Sequence, residues 1–180
     1  MSARTFLVSS VVLLAVSLLA PRLADAGDPN VVFRGKIMTS PKRYPLSAKS
    51  KNAYITAIRK QSSTNFKENK EKKEWKIYFA AFLSKPLNDV EYMVKFYDIT
   101  SGPPQLLGAS EAFNDERGQK TIVSNITLDR KSFGVNKHLL MRIENKGTVL
   151  AEGRFKILGE GERYSGKVNF SEEEAQGKDE

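Results

Sequence analysis

The chain has 180 residues, with 29 lysines and arginines against 21 aspartates and glutamates, and a formal net charge of +8. It contains no cysteine, which excludes disulfide bonds, thiolate catalysis, cysteine-ligated metals and a lipid-modified cysteine. It contains one histidine, His138, with no recognisable nucleophile motif near it, so the composition argues against an enzyme and predicts no cofactor.

The first 26 residues have the three parts of a secretory signal peptide. Arg4 supplies the positive charge, residues 6–20 form the apolar stretch, and Ala24-Asp25-Ala26 supplies the small residues that signal peptidase requires. An apolar helix of 15 residues would be about 22 Å long, which is shorter than the roughly 30 Å core of a bilayer. We therefore predict cleavage after Ala26 and a mature chain of residues 27–180 without a transmembrane segment. An exported chain without cysteine is more typical of the bacterial periplasm or medium than of a secreted eukaryotic domain.

Apolar residues alternate with polar ones along most of the mature chain, which predicts β-strands. Residues 31–39 and 53–60 are the first two candidates. The next strand begins at Trp75 and is apolar on both faces, which predicts a central strand with Trp75 and Phe79 buried. Further alternating segments, separated by turn sequences, lie at residues 90–96, 106–113, 122–128, 139–143 and 149–157.

Two connections help to define the predicted fold. Residues 128–136, LDRKSFGVN, predict a crossover with one helical turn around Phe133, and Asn145-Lys146-Gly147 predicts a hairpin turn. Eight short strands without a long helical period predict an all-β fold, an antiparallel β-sandwich within residues 27–160. The order of hairpins and crossover between Trp75 and Leu158 resembles that of immunoglobulin and fibronectin-type sandwiches. This resemblance implies a fold but no activity, because such sandwiches serve many unrelated functions.

A C-terminal extension of residues 161–180 follows a glycine-rich linker. Residues 164–170 alternate in polarity and predict a short strand. The last ten residues, 171–180, hold five acids and one lysine, and predict a disordered acidic tail. We hypothesise that this tail partly screens the basic part of the chain.

Positive charge is concentrated in residues 29–67, which hold nine basic residues and no acidic one. The segment FKENKEKKEW, residues 66–75, interleaves lysines with glutamates and predicts only a solvated approach to the next strand. Tyr44, between Pro41 and Pro45, could be an exposed contact or could fold onto the domain. The candidate residues for binding an anion or a partner are Arg34, Lys36, Lys42, Arg43, Tyr44, Lys49, Lys51, Arg59 and Lys60.

In an exported protein, these residues would meet lipid headgroups, lipopolysaccharide, acidic polysaccharide or a protein partner. Nucleic acid is not predicted, because the sequence has no recognition motif for it. We therefore predict a non-enzymatic binding protein of the bacterial envelope that uses its basic span or a strand edge. The alternatives are a polysaccharide hydrolase with unrecognised carboxylates, and a structural accessory subunit of an envelope complex. We assign no catalytic or metal-binding residue; the basic residues could also be solvated charges that prevent aggregation of strand edges.

Overall fold

A computed structural model describes residues 27–160 of the chain. The predicted signal peptide, the predicted strand at residues 164–170 and the acidic tail lie outside these residues. No helix within residues 27–160 is both long enough and apolar enough to cross a membrane. In this part of the chain the elements are α1 (Pro29–Val32), β1 (Lys36–Ser40), α2 (Lys51–Gln61), β2 (Asn65–Lys67), β3 (Glu74–Leu87), β4 (Glu91–Asp98), β5 (Gln105–Phe113), β6 (Gln119–Asp129), α3 (Arg130–Phe133), β7 (Lys137–Asn145) and β8 (Thr148–Leu158).

The eight strands form one mixed sheet that curls into a half-barrel. Its order is β5-β4-β7-β8-β1-β3-β6, and β2 is a further neighbour of β8. Strands β1 and β2 run parallel to β8, whereas the other pairs are antiparallel. The prediction of a β-rich fold is therefore confirmed, but the structure has one curled sheet in place of the two packed sheets of the predicted sandwich. Alternating polarity specifies a buried and a wet face for each strand, and a curled sheet satisfies that pattern as well as a sandwich does.

The main core lies on the concave side of the sheet. It is formed by alternate residues of the central strands, among them Trp75, Ile77 and Phe79 of β3 and Leu139 and Met141 of β7. Trp75 and Phe79 are 1% and 2% exposed, which confirms their predicted burial. The indole Nε1 of Trp75 donates a hydrogen bond to the carbonyl oxygen of Leu158 at 3.0 Å, so its polar atom is satisfied within the core.

A second core lies on the convex side, where α2 packs across the sheet. Ile55 and Ile58 of the helix are buried with Phe33, Tyr44 and Phe82. The other face of β3 thus meets a helix, which explains why this strand is apolar on both sides.

The strand predicted at residues 53–60 is wrong, because this segment belongs to helix α2. Ser50 caps the helix by accepting a hydrogen bond from the backbone N–H of Ala53 at 3.1 Å. Ile55 and Ile58 are three residues apart and share the buried face, a helical spacing. Their β-branched side chains favour strands in isolation, and packing against the sheet overrides that propensity.

The strand predicted at residues 31–39 is correct only in its second half. Asp28 caps the short helix α1, and Gly35 has a positive φ of 73° that turns the chain into β1. By contrast, both predicted connections are confirmed. Helix α3 contains Phe133, and the left-handed pair Lys146 and Gly147 forms a two-residue hairpin turn.

Candidate anion-binding surface

The predicted basic residues lie on α2, on the loop before it and on the segment that enters β1. All eight cationic side chains are exposed. We use the name basic surface for these eight residues: Arg34, Lys36, Lys42, Arg43, Lys49, Lys51, Arg59 and Lys60.

Three of these cations are held close together at the C-terminal end of α2. Lys42, Arg43 and Lys60 line one shallow cleft with Gln61. The side-chain amide of Gln61 donates hydrogen bonds to the backbone oxygens of Lys42 and Arg43, at 2.8 and 2.6 Å. The loop is therefore fixed against the helix end, where the negative end of the helix dipole also stabilises Lys60.

A second group lies where the chain enters β1. Arg34 and Lys36 line a cleft with Glu152 and Arg154 of β8. Glu152 is paired with Arg142, and the Arg34 Nε donates to the backbone oxygen of Ser84 at 3.0 Å. This group carries mixed charge, so it provides a weaker anion site than the first.

The remaining basic residues lie on α2 and directly before it. The guanidinium of Arg59 lies 5.7 Å from the ring centroid of Phe33, in cation–π contact. Lys51 is the first residue of α2, about 13.5 Å along the helix from Lys60 at 1.5 Å per residue, and Lys49 directly precedes the cap residue Ser50. No acidic residue occupies the first turn of α2, so the charge of that end is not neutralised locally.

Tyr44 does not belong to this surface. It is 2% exposed, its hydroxyl donates to the backbone oxygen of Thr39 at 2.9 Å, and it shares a hydrogen bond with Ser62. Burial raises the pKa of Tyr44 to about 12. The prediction of an exposed contact is therefore wrong, and the alternative of a tyrosine folded onto the domain is correct, because the ring completes the core between α2 and the sheet.

The basic surface has no direct ionic partner in the described part of the chain. Six ion pairs join residues within 27–160, and none of them includes one of the eight cations. The charges of the basic surface thus remain available to an external anion.

The carboxyl groups with shifted pKa values among the described residues are all stabilised in the ionised form, by ion pairs or, for Asp129, by hydrogen bonds from the helix end that it caps. Asp98 is partly buried, which opposes ionisation, but hydrogen bonds from Lys137 and Thr100 outweigh that effect and lower its pKa to about 2. The other resolved carboxyl shifts are also downward, in Asp89, Asp129 and Glu160. A glycosidase general acid requires a raised pKa, which none of these four groups has.

One exposed apolar side chain lies in the same loop as Lys42 and Arg43, and it was not among the residues predicted from the sequence. Leu46 is 73% exposed and lies in the loop between Arg43 and Lys49. The sequence does contain a signal for this residue, which is a large apolar side chain flanked by cations in a proline-containing loop.

The sheet edges were also not located from the sequence. β5 and β6 are the two ends of the strand order. Leu106 and Phe113 of β5 are exposed. Whether a strand lies at the edge of a sheet depends on pairing between residues that are distant in sequence, so a local sequence pattern does not predict it.

Comparisons with known proteins give little further information. The sequence matches no protein-family model, and no curated protein matches it significantly. Among solved structures, an immunoglobulin-like protein from Pseudomonas aeruginosa is similar to this chain with a TM-score of 0.33 and 14% identity, over 54% of this chain and 79% of that chain. Neither a fold family nor a function follows from a similarity of this size.

Proposed function

We propose that this protein is exported to the bacterial envelope and binds there, through its basic surface, to the phosphate groups of lipid headgroups. The observation that carries the proposal is the group of eight exposed cations without an ionic partner among the described residues. The signal peptide predicted in residues 1–26 supports export.

The arrangement of the cations favours an extended anionic surface over a single small anion. The cleft of Lys42, Arg43 and Lys60 is open, and Lys49 and Lys51 lie at the far end of α2. Each lysine or arginine close to an anionic membrane contributes about 1 kcal/mol, so several cations give weak, salt-sensitive binding.

Leu46 favours a lipid surface over an acidic polysaccharide. Its exposed side chain lies in the same loop as Lys42, Arg43 and Lys49 and could enter the boundary between headgroups and acyl chains. Lipid phosphates and lipopolysaccharide phosphates share this chemistry, and vesicles of each distinguish the two sources.

The test is co-sedimentation of residues 27–180 with phosphatidylcholine vesicles, either alone or containing phosphatidylglycerol or lipopolysaccharide. The variant carries Lys42→Glu, Arg43→Glu and Lys60→Glu. The control carries Lys72→Glu, Arg117→Glu and Lys131→Glu, which reverse three exposed cations elsewhere and give the same net charge. Removing three contacts at about 1 kcal/mol each predicts at least a tenfold weaker association for the variant, and at most about a twofold change for the control. Equal losses in both proteins would show that net charge alone causes the adsorption.

A further inference from the structure

Strand β6 has an open edge in the described part of the chain. It is 11 residues long and pairs with β3 on one side, and no other strand of residues 27–160 lies on its second side. Lys120 and Asp129 are its charged residues, and both are near its ends. A long edge with an uncharged centre is a template for another strand, and natural proteins usually cover or guard such an edge.

The concave core is also incompletely covered next to β6. Residues that face each other on paired strands share one side of the sheet, so Ser124, opposite Phe79, and Ile126, opposite Ile77, point toward the core. Phe79 and Ile77 are buried, whereas Ser124 is exposed and Ile126 is only half-buried. An added strand with apolar side chains on its inner face would complete this side of the core.

The chain leaves the described residues beside the end of this edge. The backbone oxygen of Glu160 accepts a hydrogen bond from the Arg130 Nη2 at 2.7 Å, and Arg130 directly follows the last residue of β6. The Glu160 carboxylate is also paired with Lys70. A strand that starts here and follows the edge must run antiparallel to β6.

We propose that residues 164–170 pair with the open edge of β6 as an additional antiparallel strand. Their sequence has an apolar set, Tyr164, Gly166, Val168 and Phe170, that alternates with Ser165, Lys167 and Asn169. Pairing Gly166 with Ser124 brings Tyr164 opposite Ile126 and Val168 opposite Ile122, so the apolar set faces the core. Seven residues extend about 23 Å, which is the length of β6 from Ile126 to Lys120. Residues 161–163 supply the connection from Glu160.

Charge complementarity supports this occupant. The added strand would end near Lys120, which lines a groove with Arg34, Lys85 and Asp28. Thr121 donates a hydrogen bond to the Asn30 side chain at 2.7 Å, which fixes this end of β6 against α1. Residues 171–180, with five acids and one lysine, would therefore emerge beside three cations. The consequence that the tail screens part of the basic surface rests on the proposed function, whereas the strand pairing does not.

Engineered cysteines test the pairing, because the chain has no cysteine of its own. The double variant Ser124→Cys with Gly166→Cys is made in residues 27–180 and treated with a mild oxidant. Paired Cα atoms about 4.5–5.5 Å apart lie within the range of a disulfide. The control is Ser124→Cys with Lys167→Cys, whose side chains would point to opposite faces. We expect an intramolecular disulfide in the first protein, identified by peptide mass spectrometry, and at least about tenfold less in the control.

Other outcomes would overturn the proposal. Equal yields in the two variants, or no disulfide in either, would exclude this pairing, and disulfide-linked dimers would show strand exchange between copies.

A second measurement needs no substitution. Backbone hydrogen exchange in β6 should be faster in a chain ending at residue 163 than in the chain of residues 27–180. Unchanged exchange would contradict the pairing whatever the vesicle assays show, so failure of the strand proposal and failure of the binding proposal are distinguishable.

Discussion

Gly153 of β8 lies directly against the backbone of Ile37 in β1. A Cβ atom at Gly153 would come within 2.5 Å of the Ile37 carbonyl oxygen and 2.9 Å of its Cβ. This contact lies at the parallel junction between β8 and β1, where Lys36 and Glu152 are the one pair in ladder register. The junction joins β5-β4-β7-β8 to β1-β3-β6, and its continuity requires a residue without a side chain at this position.

We therefore predict that Gly153→Ala destabilises the protein by about 1–3 kcal/mol or more, because the backbone must move to relieve the clash. Gly108→Ala is the matched control, since Gly108 also lies in a strand and its nearest neighbour would be the Phe133 ring at 3.8 Å. The control should change the free energy of unfolding by less than about 1 kcal/mol. Urea denaturation measures both, and equal losses would mean that the junction tolerates a side chain.

Phe79→Ala should cost about 3–5 kcal/mol, because it leaves a cavity in the concave core. Phe113→Ala removes the same atoms from an exposed position on β5 and should cost less than about 0.5 kcal/mol. A loss below about 1 kcal/mol for Phe79→Ala in denaturant melts would contradict its place at the centre of the core.

Strand β3 shows how much of the fold a sequence can predict. Its two apolar faces indicated a strand that is buried on both sides. In the structure, the main core on the concave side buries one face and α2 packs against the other. The covering helix was not predicted, because Ile55 and Ile58 are β-branched and the helical period spans only one buried turn. Its signal lay in Ser50, a good helix cap directly before the segment.

The candidate surface was predictable in composition but not in shape. A run of cations without acids can be read from the sequence, whereas the contact of Lys60 with the loop of Lys42 depends on Gln61 and the helix. Tyr44 was misassigned because burial between a loop and a helix is a tertiary property. The curled sheet was missed for a similar reason, since strand alternation does not report the order of the strands.

Tyr44 should make the free energy of unfolding depend on pH in alkaline solution. Burial raises its pKa in the folded state to about 12, above the value of about 10 in an unfolded chain. The stabilisation of the neutral phenol is therefore complete below about pH 10 and is lost as the pH rises toward about 12, by up to about 2–3 kcal/mol. The measurement is the difference between the natural chain and Tyr44→Phe, since other tyrosines and the lysines also titrate there. Parallel pH profiles for the two proteins would show that Tyr44 does not contribute.

Export should remove the first 26 residues. Expression of the full chain in a Gram-negative host is expected to give a periplasmic protein whose N-terminal residue is Gly27, because Ala24 and Ala26 fit the positions that signal peptidase reads. Mass spectrometry of the fractionated cells checks both points. Soluble protein that retains Met1 would contradict export by this signal.

Substitution of Leu46 tests whether the basic surface binds a lipid surface or a polysaccharide. Leu46→Ser should leave the free energy of unfolding unchanged, because the side chain is 73% exposed in the free protein. On vesicles with phosphatidylglycerol it should weaken binding by about five- to thirtyfold, the equivalent of roughly 1–2 kcal/mol of lost apolar burial. Leu106→Ser is the control, because Leu106 is also exposed but lies on β5, and its replacement should not change binding. If Leu46→Ser binds vesicles as well as the natural chain, the cations act without an apolar contact. A soluble acidic polysaccharide that binds both proteins equally, and more tightly than the vesicles do, would then replace lipid phosphate as the ligand.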